Sequence, residues 1–557
     1  MPNQDELPEY PLIGPFGGIQ SEVAPSQIGS QGFAELQNLL LRKSHMQGMP
    51  AMTALAAPSD EHIMGIADFY NINGIRRACV FTPTKMYYWN GSSGTWTHVT
   101  GTLTGNTTQF FQWDVVGYKL YFCQQKDIVQ VWDGVTAGFS AVTGSVPSKY
   151  LLEYDTHLLA ANTIESGPTP APNRIRWSGA GDGTDWTSYS SGQADMFNGL
   201  GPVTGLARIY QSAFAWQQWG IVQILLTGIG TAPFEFIPLG SRAKGSILSY
   251  GVASFGEVMA CYVGKDDVYM FDGTYSTGIG SRPIDGNRRL GARSRIFSDL
   301  FSALQSNIFG FILSSANGNT YESYWLFIPS LNKAWVYHFD EGSWTQVYFS
   351  TGQLNGPVSD FPLAQVPAIQ DLVGSIYAQG WTPSTLTNAN QLDTMAISDN
   401  GVNSVSYLNF AQAGTNPTYN SIGTNPIRIE DLIGTIADQG WTPDGLNVSD
   451  DGWYIRTGPL TFDDPRHVHT AKKVRLMLTD VDQNVVFNLR WTNEDGFSEL
   501  QSIIVGAGTG GPITYVVGGF SVTGRYLTLE MSGLQAKNVD IVEITPIYSV
   551  GGEVACG

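Results

Sequence analysis

One sequence motif recurs along the first two thirds of this chain. It consists of alternating strands, an aromatic–acid–glycine turn, and a short strand with an aromatic residue. Clear copies are Tyr87–Gly91 followed by Trp96, and Val131–Gly134 followed by Phe139. Later copies are Met270–Gly273, and Tyr337–Gly342 followed by Trp344. The tryptophans at positions 89, 132, 177 and 219 lie 42 to 45 residues apart. This period is typical of a four-stranded propeller blade, a unit that cannot bury its own faces alone.

The period predicts an all-β protein with a roughly six-bladed β-propeller over residues 56–350. The predicted blades are Ile63–Val99, Phe110–Val142, Tyr150–Trp186, Val203–Leu239, Ile247–Gly278 and Ile308–Val347. Residues 1–55 form an N-terminal segment, which is a candidate for the strand that closes the propeller. A short helix capped by Ser298 is predicted at Phe297–Leu304, between the fifth and sixth blades.

Residues 351–451 interrupt the period and contain a second repeat. The stretch Ile369–Pro383 matches Ile429–Pro443 at an offset of 60 residues, and each copy ends in Gly-Trp-Thr-Pro, a helix stop. We therefore expect a duplicated inserted module here. Alternation returns over residues 452–557, where five or six strands within about 100 residues predict a C-terminal β-sandwich.

Composition agrees with many short strands and narrows the functional classes. Charged residues make up 14% of the chain, against about 25% in an average soluble domain. The net charge of −19 argues against a surface that grips nucleic acid by neutralising phosphates, although DNA would slide past an acidic wall. The four widely spaced cysteines predict buried free thiols. The N-terminus lacks a secretory pattern and no apolar run reaches about 18 residues, so we expect a soluble protein folded in the cytoplasm, without a membrane span.

Several short sequence stretches, called phrases below, together resemble a known family. This family is the propeller-bearing tail hub or nozzle proteins of short-tailed bacteriophages, also called packaged-DNA stabilisation proteins. The phrases are Pro15–Gly18, Gln37–Leu39, Tyr87–Gly91, Val129–Gly134, His157–Asn162, Asn173–Ser178, Asp185–Trp186 and Asp266–Gly273. They span most of residues 14–350, with a weaker echo at 453–548. The insert at 351–451 departs from the family pattern.

The resemblance implies a structural protein of the virion tail, without a cofactor. Its family members form a ring, which implies a hexamer here, below the portal and a tail adaptor or head-completion protein. Such a ring conducts and retains the genomic DNA and presents surfaces to tail fibres or spikes. A closed ring needs head-to-tail contacts, so each subunit would carry two different interface patches.

One dense basic run stands out in this acidic protein. It comprises Arg282, Arg288, Arg289, Arg293 and Arg295. Such a run is suited to an acidic neighbouring subunit or to DNA phosphate, and we favour the subunit interface. The alternative is a solvated loop held by Asp285 and Asp299.

Catalysis and metal binding receive little support from the sequence. A glycan-binding or glycan-hydrolysing tail propeller is the rival function, because Ser178–Trp186 holds the ingredients of a sialidase-type turn, but with the wrong spacing. Asp-Gly pairs suit hairpin turns, so we interpret them as turn residues. His467 and His469 share one strand face near Asp464, yet they too are better explained as strand residues than as zinc ligands. No catalytic, metal or cofactor residue is therefore predicted.

Overall fold

The computed structural model describes most of the chain outside two long stretches. The described residues are 7–14, 16–24, 27–28, 31–42, 45–49, 52–54, 57–59, 61–90, 95–255, 258–285, 288–303, 308–313, 322–349, 358–360, 394–399, 404–409, 453–462, 467–481, 485–506, 513–534 and 539–553. Both copies of the duplicated stretch, Ile369–Pro383 and Ile429–Pro443, lie outside the described residues.

The six predicted blades are present, each with four antiparallel strands in the order first to fourth. Blades 1 to 5 are separate four-stranded sheets, and blade 6 is part of a larger sheet described below. Blade 1 contains Gly65–Tyr70, Arg76–Phe81, Met86–Asn90 and Thr95–Val99. Blade 2 contains Gln112–Val116, Lys119–Cys123, Gln130–Trp132 and Ser140–Ala141. Blade 3 contains Ser148–Tyr154, His157–Glu165, Thr169–Trp177 and Gly192–Asp195.

The remaining three of these blades follow the same plan. Blade 4 contains Val203–Ile209, Ser212–Gln217, Ile221–Leu226 and Phe234–Pro238, and the 3-10 turn Gly240–Arg242 follows it. Blade 5 contains Ala253–Phe255, Met259–Val263, Val268–Phe271 and Ser276–Gly278. Blade 6 contains Phe309–Leu313, Ser323–Ile328, Lys333–His338 and Ser343–Tyr348, with the 3-10 turn Pro329–Leu331 between its middle strands.

A seventh blade of four strands completes the propeller, one more than the sequence predicts. Its inner three strands are Val358–Asp360, Thr394–Asp399 and Ser404–Asn409, from within the inserted region. Its fourth strand is Met52–Ala54, which pairs with Ser404–Asn409. The first strand of this blade 7 packs against those of blades 6 and 1. The N-terminal segment therefore supplies the strand that closes the propeller.

The connection from blade 5 to blade 6 is a hairpin followed by a helix. The hairpin pairs Ser281–Asp285 with Arg288–Gly291, and the helix is Arg293–Ser302. The prediction of a helix starting at Phe297 with Ser298 as its cap was wrong by about one turn. Ser298 lies inside the helix, and the first turn is capped by a distant residue described below.

The sandwich grows from the outer edge of blade 6. Phe33–Gln37 pairs in parallel with Ser343–Tyr348, and the sheet continues through Trp453–Thr457, Leu527–Leu534, Val485–Asn493 and Ser498–Val505 to nine strands. The facing sheet has seven strands. They are Leu39–Arg42, His45–Gly48, Val539–Glu553, His467–Val481, Ile513–Gly518, Leu12–Ile13 and Thr523–Gly524.

Apolar side chains that alternate along these strands form one core between the two sheets of the sandwich. Trp453, Phe487 and Trp491 face it from the nine-stranded sheet, and Leu476 and Ile541 from the other. The same cluster continues into the helix and blades 5 and 6. Because the sheet and the core are both continuous, the propeller and the sandwich are joined as one packed structure.

Candidate functional site

The predicted arginine cluster divides into two groups. On the helix, Arg293 lies 3.4 Å from a carboxylate oxygen of Glu22. Arg295 lies 3.5 Å from Glu35 and donates a 2.8 Å hydrogen bond to the carbonyl of Ala34. Both acidic partners belong to the N-terminal segment, more than 250 residues earlier in the sequence. These two arginines therefore fasten that segment to the helix.

The other three arginines lie on the hairpin before the helix. Arg282 is exposed, and the strand register places Arg288 opposite Asp285 and Arg289 opposite Pro283. Asp299, which the sequence suggested as an anchor of the cluster, instead lies 2.5 Å from the ammonium of Lys333. Asp299 also accepts a 2.8 Å hydrogen bond from the indole of Trp335.

Arg295 is one end of an ionic ladder across the nine-stranded sheet. Glu35 lies between Arg295 at 3.5 Å and Arg456 at 3.9 Å, and Arg456 lies 3.5 Å from Glu530. The strand register aligns these residues, because Glu35 is opposite Arg456 and Arg456 is opposite Glu530. Residues from four distant segments alternate in sign, which sequence inspection alone could not reveal.

Glu22 also explains where the helix begins. Its carboxylate accepts a 2.6 Å hydrogen bond from the backbone N–H of Ser294 in the first turn. Ala292, the residue directly before the helix, makes no side-chain hydrogen bond to cap it. An acidic group satisfies a free N–H and favours the positive end of the helix dipole. The cap is therefore supplied by tertiary structure.

The first two phrases of the family resemblance form a clasp on blade 6. Gly18 has φ of 63°, and a Cβ there would lie 2.6 Å from the carbonyl oxygen of Trp344, so only glycine fits. That carbonyl accepts a 2.8 Å hydrogen bond from the Ile19 N–H. Asn38, with φ of 55°, donates its N–H to Gln346 and accepts the Tyr348 N–H on its side-chain oxygen at 2.7 Å.

A third phrase of the resemblance, His157–Asn162, locks neighbouring blades together. The Asn162 side chain donates to the Val203 carbonyl of blade 4 at 2.9 Å and accepts from Gln125 of blade 2 at 3.1 Å. Ser178 is fully buried and accepts the Leu158 N–H at 2.9 Å. These phrases thus mark joints in the fold.

The Asp-Gly pairs at Asp133 and Asp272 lie in turns, as the sequence predicts, and their carboxylates accept hydrogen bonds from the backbone. Asp133 accepts the N–H groups of Val135 and Thr136 at 2.9 and 2.8 Å. Burial opposes its ionisation, but these hydrogen bonds lower the pKa of Asp133 overall. Asp272 makes the equivalent bonds in blade 5. Hydrogen bonds from Ser188 and Thr187 likewise lower the pKa of Asp185.

The first strands of blades 1 to 6 line a central cavity of about 530 Å³. Tyr250 lines the end at which these strands begin. Its ring lies 5.2 Å from that of Phe110 and 6.3 Å from that of Tyr150, and its carbonyl accepts the Gly310 N–H at 2.9 Å. The half-buried Lys149 lies over Tyr250 at 5.2 Å, and burial lowers its pKa. A cavity of this size cannot pass duplex DNA.

Other candidate sites from the sequence resolve as packing. His469 is buried between Phe462 and Tyr548, with ring centroids 5.1 and 5.3 Å away. Asp464 and Cys556 lie outside the described residues. Within the described part of the chain, no group of three His, Cys, Asp or Glu side chains is placed to hold a metal, and no helix has the length and apolarity to span a bilayer. The other three cysteines are buried free thiols, as predicted: Cys79, Cys123 and Cys261.

The geometry defines a β-propeller fused through a shared sheet to a β-sandwich. No protein-family model and no curated protein matches the chain. Among solved structures, BamB from Moraxella catarrhalis is 8% identical with a TM-score of 0.34, and the match covers 72% of this chain and 100% of that chain. The Pan2 WD40 domain of Neurospora crassa is 11% identical with a TM-score of 0.37, covering 66% and 98%. At this similarity, the propeller assignment rests on the sheets described above.

Proposed function

We propose that this protein is a structural component of a short-tailed bacteriophage tail, a ring-forming hub or nozzle. In this role, identical subunits, six by family resemblance, would assemble below the tail adaptor. The ring would retain and conduct the genomic DNA, and its propellers would present surfaces to fibres or spikes. The protein would act by shape and rigidity, without catalysis.

The observation that carries the proposal is that the phrases shared with the tail-hub family make contacts that hold the fold together. Gly18 and Asn38 clasp the N-terminal segment to blade 6, and Asn162 joins blades 2, 3 and 4. The likeness to tail hubs therefore concerns residues that hold this architecture together. The turn carboxylates engaged by backbone N–H groups favour a scaffold over a glycosidase, whose acids must face a substrate.

The size of the propeller cavity bears on how such a ring would conduct DNA. Because the propeller cavity is only about 530 Å³, the DNA path would lie between subunits and not through a propeller. The net charge of −19 suits such a lumen, since acidic walls repel phosphate and limit sticking.

Imaging of the purified protein tests this proposal. Mass photometry and negative-stain microscopy should show a closed ring with a central hole, and antibodies against the protein should label the tails of intact particles. A protein that stays monomeric in the presence of its adaptor ring would contradict it. Turnover of host polysaccharide that is lost on substituting one aspartate would establish the rival, a glycan-hydrolysing tail propeller.

A further inference from the structure

The two faces of the propeller carry different exposed residues, and the strand order of the blades tells which loops lie on each face. In each blade the first and third strands run toward one face, which therefore carries the first-to-second and third-to-fourth connections. We call this the turn face. The opposite face carries the second-to-third connections and the links between blades, and we call it the entry face.

Exposed large apolar residues of blades 1 to 5 concentrate on the turn face. Five are tyrosines, and the others are aliphatic. The set is Tyr70, Ile72, Ile75, Tyr118, Val135, Tyr189, Tyr210, Leu226, Ile229, Val258 and Tyr275. On the entry face, the exposed apolar residues of the described blades include Phe197, Trp219 and Ile237. The asymmetry exceeds what scattered surface residues produce, and aromatic enrichment is a mark of protein interfaces.

Tyrosines at the tips of tight hairpins recur within this set. Tyr118 and Tyr210 occupy the tip of the first hairpin in blades 2 and 4, with φ of 62° and 51° and exposures of 57% and 59%. A bulky residue in the left-handed region is conformationally costly. Two independent blades place a largely exposed tyrosine in this two-residue turn, at its second position in blade 2 and at its first position in blade 4.

The balance of exposed charges also differs between the two faces. Exposed carboxylates on the turn face include Asp155, Asp182 and Asp272. Two arginines near this face are engaged within the chain: Arg76 pairs with Asp68, and Arg208 lies 2.9 Å from Glu153. Exposed basic residues lie mainly on the entry face, at Lys126, Arg242, Lys244 and Lys265, beside the exposed carboxylate of Asp266. Lys119 is on the turn face.

We propose that the turn face is a docking surface for a different protein whose contacting surface carries arginine and lysine. Cationic side chains suit both components of the face, because they pair with carboxylates and lie over tyrosine rings. The aliphatic residues favour a protein partner over a glycan. This proposal does not depend on the virion role, since ring formation and face binding are measured separately.

The chain offers two other occupants, and charge opposes both. The strands Val358–Asp360 and Ser404–Asn409 end at this same face. Residues 361–393 contain no Lys or Arg, and residues 410–452 contain one basic residue against six acidic ones. A second copy of the chain carries a net charge of −19. Like charges across an interface are unfavourable.

Tyrosine acetylation by N-acetylimidazole, mapped by mass spectrometry, tests whether the face is free in the isolated protein. Tyr118 and Tyr210 should react at all protein concentrations, while the buried Tyr121 and Tyr262 stay unmodified. Protection that disappears on dilution would assign the face to a second copy. Protection that disappears when residues 364–390 and 413–449 are replaced by Gly-Ser linkers would assign it to the chain itself. Either result overturns the proposal.

Selection from a random 12-residue peptide library then tests the partner chemistry. Selected peptides should be rich in Arg and Lys, and should bind at least tenfold more weakly to the double variant Tyr118→Asn/Tyr210→Asn. Asparagine tolerates the positive φ, so folding is preserved. Two hot-spot aromatics each worth over about 1 kcal/mol give at least that factor. The entry-face control Phe197→Asn should change affinity less than about twofold. Acidic binders, no binders, or indifference to the double variant would overturn the proposal.

Discussion

Asn38 gives the sharpest test of how the propeller and the sandwich are joined. It sits between Phe33–Gln37, which extends blade 6, and Leu39–Arg42, which belongs to the facing sheet. Its side-chain oxygen accepts the Tyr348 N–H at 2.7 Å, its N–H donates to Gln346 at 2.8 Å, and its carbonyl accepts the Met49 N–H at 3.1 Å. Substituting Asn38 therefore perturbs the joint while leaving the blades untouched.

The magnitude follows from two effects that separate variants distinguish. Asn38→Ala leaves the Tyr348 N–H without its acceptor in a buried site, which costs about 1–3 kcal/mol. Alanine must also adopt φ of 55°, which adds about 1–2 kcal/mol. Asn38→Gly loses the same acceptor but adopts this conformation freely. We expect a loss in the free energy of unfolding of about 2–5 kcal/mol for alanine, and about 1–2 kcal/mol less for glycine.

Hydrogen exchange is the assay that isolates the joint, because a single unfolding midpoint is poorly defined for a multidomain chain. Amides of Ser343–Tyr348 should lose protection in both variants, and more so in Asn38→Ala. Amides of blade 3, remote from the joint, provide the internal control. Equal protection in the alanine variant and the unsubstituted protein, or a larger effect for glycine than for alanine, would refute the reasoning.

Three further predictions follow from burial and charge. Burial raises the pKa of Asp114 from 3.8 to about 6. Its contribution to stability is therefore full below about pH 4, and falls by up to about 3 kcal/mol as pH rises through 6. Asp114→Asn should abolish this part of the pH profile in denaturant titrations, and an unchanged profile would contradict the prediction. Glu35→Gln should reduce the free energy of unfolding by about 0.5–1 kcal/mol. A double-mutant cycle with Arg295→Met should show a coupling energy that weakens in high salt. If the effects of the two substitutions simply add, the two residues of the ladder are not coupled. Burial raises the pKa of the thiols of Cys79, Cys123 and Cys261. A disulfide reagent should therefore modify these three thiols only after unfolding, as mapped by mass spectrometry. Reaction in the native state would show that they are accessible.

The periodic turns were enough to predict the blades because each blade is local. Every strand of blade 1, from Gly65 to Val99, pairs with a neighbour close in sequence. The aromatic–acid–glycine turn that reverses the chain is therefore visible in the sequence. Alternating apolar residues predict the sandwich for the same reason, since period-2 burial is a property of single strands.

Long-range pairing decided the rest. Blade 7 joins Met52–Ala54 to Ser404–Asn409, and no local period signals a partner some 350 residues away. The helix begins at Arg293 because Glu22 caps it, and Arg295 is occupied because Glu35 lies beside it in the folded chain. Local sequence specifies which residues form strands and turns. Which strand edges meet, and which charges face each other, depends on the closed wheel and the shared sheet that bring distant segments together.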